Sequence, residues 1–134
     1  MIKKISHIGV AVKNLGISSD LFSKLFEQPS PHTETVAEQK ATITFFPVGE
    51  SSIELIESTS EDSSISKFIE KRGEGIHHIC LEVENIKSEI ERLKKHNFQF
   101  MSDVPSAGGD GYWVAFIHPK SANGVLIELC EKMQ

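Results

Sequence analysis

The sequence predicts an α+β fold in which two βαβββ modules pair into a curved mixed sheet. Three observations predict it. "SHIGVAV" (6–12) matches "HHICLEV" (77–83), and both read as strands entered through a histidine. "SSIELIE" (51–57) matches "GVLIELCE" (124–131), each with a glutamate inside an apolar strand. The offsets agree: His78 lies 71 residues after His7, and Glu128 lies 74 after Glu54. A long repeat at nearly constant offset marks a duplicated supersecondary unit.

The 134 residues suit one domain, spanning 1–134. Module one covers about 1–60, a linking helix about 61–73, and module two about 74–134. A net charge of −5 without a Lys/Arg cluster argues against nucleic acid. No apolar run approaches the ~20 residues of a membrane span, and "MIKKISHIGV" has no signal-peptide pattern. Cys80 and Cys130 form no CxxC pair, so a reducing cytoplasm is the expected setting.

Residues 5–12 alternate and form the first strand. "NLGISSDLFSKLFEQ" (14–28) places Leu21, Phe22, Leu25 and Phe26 at helical spacing. Ser18, Ser19 or Asp20 can cap that helix, and Pro29 and Pro31 end it. "ATITFFPVG" (41–49) and "SSIELIE" read as strands joined at Gly49. "EDSSISKFIEKRGEG" (61–75) is a short serine-capped helix closed by Gly73 and Gly75. The order then repeats. "IHHICLEV" is a strand, and "NIKSEIERLKKHN" (85–97) is an amphipathic helix with Ile86, Ile90 and Leu93 on one face. "FQFM" (98–101) is a short strand and "SAGGDG" (106–111) a flexible loop. "YWVAFIHP" and "NGVLIELCE" close the chain around "PKSANG".

Side chains alternate faces along a strand. His7 shares a face with Gly9 and Ala11, and the bulkier Ile8, Val10 and Val12 take the side a helix would cover. His78 shares a face with Cys80 and Glu82. Glu128 opposes Ile127 and Leu129, as Glu54 opposes Ile53 and Leu55. If the halves pair about a pseudo-twofold axis, His7, Glu54, His78 and Glu128 converge in one cup. Two imidazoles and two carboxylates suit divalent Zn, Co, Ni, Mn or Fe, with positions left for water or substrate. A cation so held acts as a Lewis acid on a carbonyl oxygen.

A lone strand histidine is usually structural, and a strand glutamate is usually solvated. The repeat shifts that balance because one idea explains four positions. His77 is one residue out of phase and belongs on the helix side or the rim. His32, His96 and His118 have no repeat partners; His96 suits a helix C-terminus. Trp113 and the pairs Phe22/Phe26 and Phe45/Phe46 are expected in the core, and Cys80 is a small buried residue.

These motifs resemble the vicinal oxygen chelate superfamily (the glyoxalase/bleomycin-resistance fold), over nearly the whole chain. "HIGVAV" with "IEL" carries the superfamily pattern. "VAEQ", "IELIE" with "EDSSISKFIEKRGEGIHHICLEV", and "HPKSANGVLIEL" resemble the methylmalonyl-CoA epimerases within it. The resemblance implies a metal-lined cup with His7, His78 and Glu128 at the metal positions and Glu54 at the fourth. It implies a divalent cofactor (Co, Zn, Ni or Mn), an acyl-CoA substrate and a homodimer. The implied reaction is epimerisation of methylmalonyl-CoA by proton abstraction and return through an enediolate that the metal stabilises, with Glu128 as one proton-transfer group. Two segments depart from the pattern. Ile43 stands where some epimerases carry a glutamate, so either another group serves the second face or the substrate differs. "SAGGDGYW" replaces a "GAHGK"-like segment. The alternatives are a glyoxalase I-like lactoylglutathione lyase and a metal-free bleomycin-resistance-type binding protein. Assays separate the first, and elemental analysis the second.

Overall fold

The computed structural model describes residues 1–29, 31–102 and 104–134. The elements run β1 (Ile2–Ala11), α1 (Leu15–Phe26), β2 (Thr33–Val36), β3 (Ala41–Val48), β4 (Ser51–Ser58) and α2 (Ser64–Arg72). They continue β5 (Gly75–Val83), α3 (Ile86–Lys95), β6 (Ser106–Ala107), β7 (Tyr112–Ile117) and β8 (Ile127–Lys132). The βαβββ order therefore occurs twice. The chain divides into two compact units: His7–His77, and Met1–Ser6 with His78–Gln134.

In the His7–His77 unit the strand order is β2-β3-β4-β1. β1 and β4 run parallel, with Gly9 opposite Glu54, and the other neighbours are antiparallel. α1 starts after Asn14, whose side chain accepts the Ile17 N–H, and ends at Glu27, which adopts φ 53°. The serines and aspartate expected to cap it lie inside the helix. Phe22 and Phe26 pack on Phe46, Leu55 and Val12, whereas Leu21 and Leu25 face outward. The opposite sheet face carries Ala11, Ile43 and Ile56 under Ile65, Phe68 and Ile69 of α2. Phe45 and Phe46 thus pack on opposite faces. α2 begins at its Ser63 cap and stops at Gly73, whose φ of 79° favours a residue without Cβ.

In the other unit the order is β1-β5-β8-β7-β6. β5 and β8 run parallel, with Cys80 opposite Glu128, and β7 pairs antiparallel with β8. α3 starts at its Asn85 cap. It buries Ile86, Ile90 and Leu93 against Val83, Ala115, Ile117 and Leu129. Each such side chain contributes about 1.5–3 kcal/mol. The opposite face gathers Cys80, Val114 and Cys130.

Three expectations change here. The segment "FQFM" makes only an isolated bridge, Phe100 to Ile117. The second strand of module two is instead Ser106–Ala107, paired to Val114 and Trp113 inside the segment read as a loop. Trp113 is 42% exposed rather than core, because the α3 cluster reaches Ala115 and Ile117 and stops short of it.

Candidate functional site

Each unit carries a His–Glu pair at the same register position of its two parallel strands. In the His7–His77 unit, His7 and Glu54 project from neighbouring parallel strands on the face opposite α1. His7 Nδ1 lies 2.9 Å from Glu54 Oε2. Glu54 is 7% exposed. Gly9 stands across from it on β1 and Phe45 on β3, so one flank is bare and the other aromatic.

The second unit repeats this. His78 Nε2 lies 3.1 Å from Glu128 Oε1, and both residues are buried. Glu128 is flanked by Cys80 on β5 and Phe116 on β7. The Phe116 ring stands edge-on to His78 at 6.1 Å. Phe45, expected from the sequence only in the general core, and Phe116, which sequence reading did not single out, are repeat partners.

Burying a carboxylate is unfavourable by several kcal/mol unless a cation or hydrogen bonds compensate. Each pair offers one imidazole nitrogen and one carboxylate oxygen in an apolar setting. That donor chemistry fits a borderline divalent cation, so the residues match the group that the resemblance implies.

The other histidines lie elsewhere. The His77 ring packs edge-on against Phe68 of α2 at 5.0 Å. His96 closes α3, and His118 Nδ1 accepts the Lys120 N–H. Ile43 is 4% exposed within the α2-side cluster and carries no titratable group.

Sequence reading missed a further duplicated pair. Glu57 Oε1 accepts the Leu15 N–H at 2.7 Å, and Glu131 Oε1 accepts the Ile86 N–H at 2.8 Å. Both glutamates lie three residues beyond the site glutamate of their strand. The only sequence signal was the final residue of "IELIE" and "IELCE".

Comparison with known proteins agrees with this duplicated architecture. The profile of the Glyoxalase/Bleomycin resistance protein/Dioxygenase superfamily matches residues 6–116. The mitochondrial methylmalonyl-CoA epimerase of Dictyostelium discoideum is 37% identical over 132 residues, covering 98% of this chain and 80% of that protein. The ethylmalonyl-CoA/methylmalonyl-CoA epimerase of Cereibacter sphaeroides is 34% identical over 131 residues, covering 96% and 98%. A solved methylmalonyl-CoA epimerase, in complex with methylmalonyl-CoA and NH4+, superposes with a TM-score of 0.93 at 29% identity, covering 98% of this chain and 96% of that one. With its doubled βαβββ order and a His–Glu pair in each half, the chain belongs to the glyoxalase/bleomycin-resistance (vicinal oxygen chelate) superfamily and, within it, to the methylmalonyl-CoA epimerase family of isomerases.

Proposed function

We propose that this protein is a metal-dependent epimerase of 2-alkylmalonyl-CoA thioesters, with methylmalonyl-CoA as substrate. The observation that carries this reading is the duplicated His–Glu pair at matching register in two units. The names of its relatives supply the substrate class. His7, Glu54, His78 and Glu128 serve as the ligands of one divalent cation, within a single functional domain of 134 residues.

When bound, the cation supplies positive charge where negative charge develops on the thioester oxygen. Each ~1.4 kcal/mol of that preferential stabilisation is a tenfold gain in rate. Glu54 holds His7 in orientation. Glu128 moves the proton at C2, aided by its seat between Cys80 and Phe116, which limits competing water. The reading includes a homodimer, and it places the protein in the cytoplasm, in keeping with Cys80 and Cys130 being buried thiols rather than a disulfide. Among the described residues no helix is long and apolar enough to cross a membrane.

The test is proton NMR of one methylmalonyl-CoA epimer in heavy water. Deuterium at C2 with formation of the other epimer supports the reading. Inert methylmalonyl-CoA, with S-lactoylglutathione made from the glutathione hemithioacetal, would replace it with a lyase.

A further inference from the structure

The two His–Glu pairs share their register but not their flanks. Gly9 stands opposite Glu54 in one unit, and Cys80 stands opposite Glu128 in the other. The repeat thus sets a thiol beside one carboxylate where its counterpart has no side chain at all. Leu81 and Val83 pack with the α3 cluster, whereas Cys80 gathers with Val114 on the opposite face. His78, two residues before Cys80, shares that face.

Cys80 Sγ and a Glu128 carboxylate oxygen lie within 4.8 Å of each other. The same carboxylate meets His78 Nε2 at 3.1 Å. All three residues are buried, and all three belong to one compact unit. Two donors that each sit about 2.0–2.3 Å from one ion are roughly 3 to 4.5 Å apart, so thiol and carboxylate stand close to the spacing of joint ligands. Cys130 shows the contrasting case of a thiol used for packing. It stands opposite Glu82 and Val114, and Glu82 already pairs with the ammonium of Lys3 at 3.2 Å. A carboxylate neutralised by lysine draws no further cation to that thiol.

We propose that Cys80 is a further ligand of the cation held by His78 and Glu128, binding through its thiolate sulfur; this rests on the metal-dependent reading above. On coordination the thiol proton passes to solvent, and nothing is oxidised. A thiolate is a soft donor, so it favours Zn2+ or Co2+ over Mn2+. It also gives the cation a second anionic donor from the same unit, which leaves the Glu128 carboxylate available to carry the C2 proton.

The test is anaerobic titration of the metal-free protein with Co2+, followed by absorption spectroscopy. The unaltered protein should develop an intense near-ultraviolet sulfur-to-cobalt charge-transfer band that saturates with the bound ion. Cys80→Ala should lose that band and Cys130→Ala should keep it, with circular dichroism confirming that both variants fold. Zn2+ affinity, measured by competition with a chelator, should fall at least about 10-fold in C80A, and Mn2+ affinity should fall less. Cobalt bound by the unaltered protein with ligand-field bands alone overturns the assignment and leaves the metal-dependent reading standing. A charge-transfer band that survives in C80A overturns it as well. If the unaltered protein binds no Co2+ or Zn2+, the metal-dependent reading falls and this assignment falls with it.

Discussion

The carboxylate of Glu57 accepts the backbone N–H of Leu15 at 2.7 Å, tying the first turn of α1 to β4. Glu131 does the same for Ile86 and α3 at 2.8 Å. Each helix thus has two caps, an asparagine before it and a glutamate from the strand below. A carboxylate at a helix N-terminus satisfies an orphan donor and complements the dipole. Glu57→Ala and Glu131→Ala should each destabilise the fold by about 1–2 kcal/mol, measured by urea denaturation. Changes confined within error would show that water replaces the caps.

Gly108 meets Val114. A Cβ at Gly108 would sit 2.6 Å from Val114 Cγ1, and Val114 is 4% exposed. A buried β-branched side chain has little freedom to move aside. Gly108→Ala should cost about 1–3 kcal/mol and lower the melting temperature. An unchanged melting temperature would contradict the packing described for this segment.

That segment shows where sequence reading reaches its limit. Ser106–Ala107 has no period to detect, because two residues are too few to show alternation and only pairing with Val114 and Trp113 of the adjacent β7 makes them a strand. Its glycines signal flexibility in sequence, yet Gly108 is required by close approach. β2 was passed over for a related reason: "TETV" is short, polar on one face and closely preceded by Pro31. Leu21 and Leu25 share the helical spacing of Phe22 and Phe26, but spacing alone does not say which stripe meets the sheet. The histidine and glutamate positions were legible because each sits in a strand with strict alternation and each has a repeat partner.

Glu89 provides a pH-dependent test of the fold. Its buried carboxylate bonds Arg92 at 3.0 Å and the amino terminus at 3.1 Å. Arg92 first, and then the amino terminus, hold its pKa below the ordinary 4.5 against the opposing effect of burial. A lowered folded-state pKa stabilises the fold above the unfolded value, and that stabilisation is lost as pH falls through the folded one. Arg92→Ala should therefore lower stability near neutral pH, and the difference from the parent should vanish below the usual carboxylate range. A difference constant from neutral to acid pH would contradict the ion pair.

Glu128→Gln should lower epimerisation by about 10²-fold or more, because an amide cannot carry the proton. Glu54→Gln keeps an oxygen donor and should lose less. Steady-state rates in metal-saturated buffer compare them. Equal losses would remove the special role given to Glu128.

Cation stoichiometry tests the central claim most directly. Elemental analysis after dialysis should give one divalent cation per chain for the parent, and close to none for His7→Ala and for His78→Ala alike. Retention of the cation by either single variant would contradict a site shared by both His–Glu pairs.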